Sequence, residues 1–284
     1  MTNYIDLHTH SNASDGTCTP TEVVRLAAQK GLRAMALTDH DTVSGVEEAM
    51  NTASAFSLPI QVIPGTELSV AYKKQDIHIV GLFVDHRNKS FQDMTQLLIR
   101  RRLERNEEMI RRFNANGIPV TYEELTLGNP NAVITRAHFA RYLVEHQIVK
   151  IPNEAFKKYL DPGCPYFIPR EYIQPEDGIE IIRKAGGVPI LAHPLHYKLP
   201  QKELETLIAR LKNAGLMGIE VKYSNHTVQD EYYASPLASR FDLLPSGGSD
   251  FHGANKPAID IGTGRGTLAV PYEYLENLAA AVDY

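Results

Sequence analysis

The sequence predicts an α/β fold with a largely parallel sheet that can close into a barrel, interrupted by a helical insertion. Two observations carry this. Seven short β-rich runs alternate with helical patterns, and one stretch, residues 90–163, carries helical spacing with no convincing strand. The length of 284 residues fits a barrel built as one domain.

Taken in order, residues 3–7 read as the first strand. Thr19-Pro20-Thr21-Glu22 then reads as a helix start, with Thr19 as N-cap, Pro20 at the first position and Glu22 completing a capping box. That helix should carry Val23, Val24, Leu26 and Ala27 and stop at Gly31. Residues 34–38 form the next strand, 46–55 a helix, 60–63 the third strand and 77–84 the fourth. In the insertion, Phe91, Met94, Leu97, Leu98, Ile110 and Phe113 give helical spacing. Thr135 can cap a helix through His146, and residues 152–160 give another. Strands at 188–192, 218–221 and 243–245 follow, separated by helical runs near 175–185, 201–214 and 229–240. No internal repeat, low-complexity tract or flexible linker interrupts the pattern.

Composition excludes several classes. With 43% hydrophobic and 22% charged residues, disorder, collagen-like repeats and coiled coil fit poorly. A formal charge of −5 advertises no global affinity for nucleic acid, though a local basic patch is compatible with it. Two cysteines, Cys18 and Cys164, make no disulfide framework and suit a reducing compartment. The start, MTNYIDLHTH, shows no basic n-region followed by an apolar run, and no apolar stretch reaches the roughly 18 residues of a membrane span. The expectation is a cytoplasmic protein with no membrane association and no stable protein partner.

Chemistry-bearing residues gather at the expected strand ends. His8 and His10 end the first strand, with Asp15 in the loop beyond; His40 ends the second; Glu67 follows the third. His78 starts the fourth, His193 ends the fifth, and Asp250 and His252 follow the seventh. C-terminal strand ends of parallel α/β folds converge on one face. Nine imidazoles and carboxylates there would repel or stay unsatisfied without cations, and mixed nitrogen and oxygen donors suit Mn, Fe or Zn better than Ca. His8 and His10, two apart in an extended segment, point to the same side and can grip one ion, and Asp250 and His252 share that spacing. A carboxylate such as Glu67 can bridge two ions, and a metal pair is the usual clamp for phosphoryl displacement. Taken alone, His78 also reads as a packed strand histidine.

The ordered motifs DLHTHSNASDGTCTPTEV, LTDHDTVSG, GTELS, AHP and GGSDFHG resemble the PHP (polymerase and histidinol phosphatase) superfamily. The likeness is greatest to its stand-alone phosphoesterases, which include nucleoside 3′,5′-bisphosphate phosphatases and 5′→3′ exoribonucleases on short RNA. The resemblance implies a distorted (β/α)₇ TIM-like barrel over residues 1–89 and 164–284, with residues 90–163 as a lid. It also implies a trinuclear site on His8, His10, Asp15, His40, Glu67, His78, His193, Asp250 and His252. The activity it implies is hydrolysis of a nucleotide-like phosphomonoester by metal-activated hydroxide, with Asp15, Asp250 and His252 also steering protons. The ions expected are Mn²⁺, with Fe²⁺ or Zn²⁺ as alternatives. Arg102 and Arg105 share a helix face, and Arg136 opens a helix where an anion meets free N–H groups; all three are candidates for a second substrate phosphate. His196 stands where bisphosphate phosphatases tend to carry arginine. Two alternatives differ in class: a 5′→3′ exonuclease on short oligonucleotides, and a non-catalytic metal-bound module like those attached to polymerases. The complete ligand set and the absence of a polymerase region speak against the latter. His86, His138 and His146 are expected at the surface, His196 and His226 in supporting roles, Lys222 as a rim lysine, Cys18 as a packed thiol, and Gly247-Gly248 in a tight turn into Asp250.

Overall fold

In the computed structural model, which describes residues 3–73, 75–126, 129–169 and 171–282, all seven expected strands form, with an eighth not foreseen. They are β1 (Tyr4–Thr9), β2 (Ala34–Leu37), β3 (Gln61–Tyr72), β4 (Gln75–Leu82), β5 (Val188–Leu191), β6 (Gly218–Tyr223), β7 (Leu244–Gly248) and the two-residue β8 (Val270–Pro271). Their order in one sheet is β7-β6-β5-β4-β3-β2-β1-β8. The sheet then closes between β1 and the segment after β7: Asp250 N donates to His8 O at 2.8 Å, and Thr9 bridges Phe251 in parallel. The result is a nearly closed, TIM-like barrel.

The sheet departs from the largely parallel expectation in its middle. β3 runs on well past residue 63 and pairs antiparallel with β4, which pairs antiparallel with β5. The reason lies in alternation: Leu68, Val70 and Tyr72 on β3 and Ile77 and Ile79 on β4 are buried together, which sustains a hairpin. This reversal positions the site. Because β4 runs backwards, His78 near its start lies at the rim where the parallel strands end, with His78 opposite Ser69 in the ladder.

Helices cover the barrel. α1 (Pro20–Gln29) opens with the expected capping box: Thr19 accepts from Glu22 N, and the Glu22 carboxylate accepts from Thr19 N at 2.7 Å. Its Val23, Val24 and Ala27 pack with Met35 and Leu37 of β2 and with Ala49 of α2 (Val46–Ala55). Among the described residues, five further helices run between β4 and β5: α3 (Lys89–Ala115), α4 (Tyr122–Thr126), α5 (Arg136–Glu145), α6 (Pro152–Ala155), which continues as a π-helical turn Phe156–Leu160, and α7 (Pro175–Lys184). α3 serves two cores. Its Phe91 and Leu98 pack with Ile179 and Ile182 of α7, whereas its Met109 and Phe113 join Phe139, Leu143 and Leu160 in a separate cluster. Phe113 stacks on Tyr166 at 4.0 Å there. α8 (Gln201–Asn213) and α9 (Val228–Arg240) complete the outer layer. α10 (Tyr272–Ala280), unforeseen in sequence, buries Leu275 and Leu278 against Ile5, Val188 and Ile190. Among the described residues no helix is long and apolar enough to cross a membrane.

Candidate metal centre

The nine residues singled out in sequence fall together at one rim of the barrel. Glu67 is their hub. It lies inside β3 rather than after it, held by exchange with the second strand's exit: Glu67 N donates to Asp39 O and Asp41 N to Glu67 O. Its Oε1 sits 2.8 Å from His78 Nδ1, 3.0 Å from His193 Nε2 and 3.3 Å from His8 Nε2. Its Oε2 sits 2.9 Å from His40 Nδ1 and 3.4 Å from His10 Nε2. Asp250 Oδ1 reaches His10 Nε2 at 3.4 Å and His252 Nδ1 at 3.3 Å, and Asp15 Oδ1 reaches His252 Nε2 at 3.2 Å. All are buried except His78, which is partly open to a cavity.

Electrostatics follow from this crowding. Burial alone would raise the Glu67 pKa, but His78, His40 and His8 hold it well below the usual carboxylate range. Burial likewise works against the charged form of Asp250, yet Lys256 and His252 hold its pKa well down. His10 goes the other way: burial, with His252 beside it, presses its pKa well below the ordinary imidazole value.

The donors fit divalent cations. Among the described residues, buried nitrogens on His8 (Nε2), His10 (both) and His193 (Nδ1) make no well-aligned hydrogen bond, a costly arrangement in a protein interior unless something else accepts their lone pairs. Donor atoms fall within 4.8 Å of one another in three groups: His10, Asp15, His40 and His252; His8, His10 and Glu67; and His40, Glu67 and His78.

Supporting groups that sequence reasoning missed fix these donors. Glu220 on β6, buried, accepts from His193 N and faces His8 Nδ1 at 2.8 Å, which turns His8 Nε2 towards Glu67. Asp39 accepts from Ser11 N, Ser11 Oγ and Ser14 Oγ and so shapes the loop bearing Asp15. Burial pushes its pKa up to about 6 against those hydrogen bonds. Tyr223 OH donates to Asp250 Oδ2 at 2.8 Å, and Lys256 Nζ reaches the same oxygen at 2.7 Å. An acid in the middle of an apolar strand, as in Gly218-Ile219-Glu220-Val221, was the signal available for Glu220. His193 (φ 31°) and Asp250 (φ 57°) occupy the left-handed region, backbone strain of the kind that clusters at functional sites.

A cavity of about 300 Å³ opens on this centre, lined by Asp15, His40, His78 and His252 on one side and by Arg102, Arg105 and Arg136 on the other. Arg102 is ion-paired: its Nε and Nη2 lie 2.6 Å from Asp41 Oδ2, and Nη2 donates to Ser69 Oγ. Arg136 approaches Asp76 Oδ2 at 3.8 Å. Arg101, Arg111 and Arg112 instead pair with glutamates outside the cavity.

Other expectations divide. His146 is exposed, His226 is bonded to Val221 O, and Lys222 pairs with Glu231 at 2.7 Å, as a rim lysine would. His138 is not at the surface: it is buried, because its Nδ1 accepts from Thr135 N at 3.0 Å in the capping box of α5. Gly247 and Gly248 form no turn. They lie within β7, where a side chain on Gly248 would overlap the backbone of His8.

A profile for the PHP domain matches residues 6–172. The chain belongs to the PHP domain family. Among PHP relatives, it is 37% identical over 260 residues to a 3′,5′-nucleoside bisphosphate phosphatase from Chromobacterium violaceum, covering 91% of this chain and 90% of that protein. It is 38% identical over 255 residues to a 5′-3′ exoribonuclease from Haemophilus influenzae, covering 89% and 91%. A solved structure from Bifidobacterium adolescentis, inferred to be a metal-dependent phosphoesterase, superposes with a TM-score of 0.84 at 27% identity, over 97% and 95% of the two chains.

Proposed function

We propose that this PHP-family hydrolase is a metal-dependent phosphomonoesterase acting on a nucleoside 3′,5′-bisphosphate type of substrate. The observation that carries the reading is one cavity with two chemistries: the imidazoles and carboxylate of His40, His78, His252 and Asp15 on one wall and three insertion arginines on the other. His8, His10, Asp15, His40, Glu67, His78, His193, Asp250 and His252 would hold three divalent ions, with Mn²⁺ preferred over Fe²⁺ or Zn²⁺. When bound, such ions lower the pKa of water towards neutrality and neutralise phosphate oxygens. The chain's own residues do the rest. Asp15 and His252, which line the cavity, and Asp250 beside His252 handle protons there. Arg105 and Arg136 hold the second phosphate, and Arg102 adds its charge while tying α3 to the barrel through Asp41. Residues 90–163 act as the lid that carries these arginines. The free thiols Cys18 and Cys164 suit a cytoplasmic setting.

One observation favours a second reading, a 5′→3′ exonuclease on short RNA. A larger cavity of about 1020 Å³ adjoins the first, sharing Asp76, His78, Arg136, Tyr172 and His196, and adds Phe167 and Tyr197 as aromatic surface for a longer leaving group.

The test is Arg136→Ala, assayed at fixed ionic strength because phosphate contacts are screened by salt. Losing a charge-assisted phosphate contact of roughly 1.5–3 kcal/mol lowers kcat/KM about 10–150-fold for a nucleoside 3′,5′-bisphosphate. A simple aryl phosphate has no second phosphate and should be little affected. An equal drop on both substrates, or none on either, would contradict the assignment.

A further inference from the structure

The insertion also reaches the metal-binding side of the cavity. Its segment 129–135 runs along the loop that carries Asp15, bound at three points. Asn129 Nδ2 donates to Asn12 O at 2.6 Å, Val133 N donates to Ala13 O at 2.9 Å, and Thr135 Oγ1 donates to Asp15 Oδ2 at 2.8 Å. Thr135 is buried, and the same hydroxyl accepts from Ala137 N as the N-cap of α5. Both Asp15 oxygens face the histidines, but only one meets the insertion: Oδ1 faces His252 Nε2 at 3.2 Å and His10 Nδ1 at 3.8 Å, whereas Oδ2 faces His40 Nε2 at 3.7 Å and accepts from Thr135.

We infer that Thr135 is a positioning residue for the ion held by Asp15, His40, His10 and His252, so that the insertion is part of the metal centre as well as its cover. A hydroxyl that donates to one carboxylate oxygen sets the carboxylate's rotation and keeps its negative charge in place, and losses of such outer partners typically weaken metal binding about 10–100-fold. The following residue is Arg136, so the first turn of α5 joins the arginine wall to the Asp15 wall. The inference rests on the reading of Asp15 as a metal ligand.

The experiment is calorimetric Mn²⁺ titration of the metal-stripped full chain, with elemental analysis after dialysis at fixed free Mn²⁺. Thr135→Val removes the hydroxyl; Thr135→Ser keeps it. Asn88→Ala removes the N-cap of α3, whose side chain accepts from Phe91 N, without touching the Asp15 loop, and so reports what general destabilisation alone does. The expected result is that Thr135→Val weakens one binding step at least about 10-fold, or loses about one ion per chain. Thr135→Ser should stay within about threefold of the unmodified chain, and Asn88→Ala should lower the melting temperature with an unchanged titration. Unchanged binding in Thr135→Val would overturn the inference, as would an equal loss in Asn88→Ala. A chain that binds no Mn²⁺ even unmodified would instead overturn the metal reading beneath it.

Discussion

Glu67 shows at the scale of one residue how the centre works. Five imidazoles address its two oxygens, so removing the carboxylate unties two of the three donor groups at once. Glu67→Ala should therefore lower kcat by at least about 10³-fold, several kcal/mol of lost charge stabilisation. His146→Ala, on an exposed insertion residue, should leave kcat within about twofold. Steady-state kinetics of both variants checks the pair, and comparable losses would show the ligand map to be wrong. The nine donors were legible in sequence because each combines a chemically distinctive side chain with a strand-end position. Glu220, Tyr223 and Thr135 were not, because their importance lies in what they touch, His8, Asp250 and Asp15, across long sequence separations.

At the scale of elements, α5 and β7 carry the sharpest consequences. α5 opens with a capping box in which His138 takes the place of the usual Glu or Gln, and its Nδ1 can accept from Thr135 N only while neutral. Burial holds the His138 pKa down at about 4, against an ordinary value of 6.5. The sign follows: between those values the unfolded chain takes up a proton that the folded chain refuses. Folding stability therefore falls as pH drops from about 6.5 towards 4, by up to roughly 3 kcal/mol. Urea midpoints across that range should fall less steeply in His138→Gln, which keeps the cap without titrating; identical slopes would contradict the role given to His138. On β7, Gly248→Ala places a methyl against the His8 backbone, and overpacking of this kind costs about 1–3 kcal/mol. A lower melting temperature together with weaker Mn²⁺ binding is expected, since the residue displaced is one of the proposed ligands. Helices were read well from the sequence because caps and periodicity are local, as Thr19 and Glu22 show. The β3–β4 hairpin was not foreseen because pairing direction depends on what each face meets, and the same apolar run serves either topology.

At the scale of the molecule, barrel and insertion line one cavity: strand ends supply the donors, and α3 and α5 close the other side. The barrel was legible from alternating strands and helices, whereas β8 and α10 were not, being too short or too weakly patterned to stand out before they pack against β1 and the barrel core. The account stands or falls on metal-dependent hydrolysis at this rim. The most direct measurement is kcat/KM for a nucleoside 3′,5′-bisphosphate on protein stripped of metal and then reloaded, with metal content followed by elemental analysis. The predicted result is turnover abolished on stripping and restored by Mn²⁺ better than by Mg²⁺, because imidazole donors favour Mn²⁺ over an ion that prefers oxygen and water. Full activity in protein shown to be metal-free would contradict it.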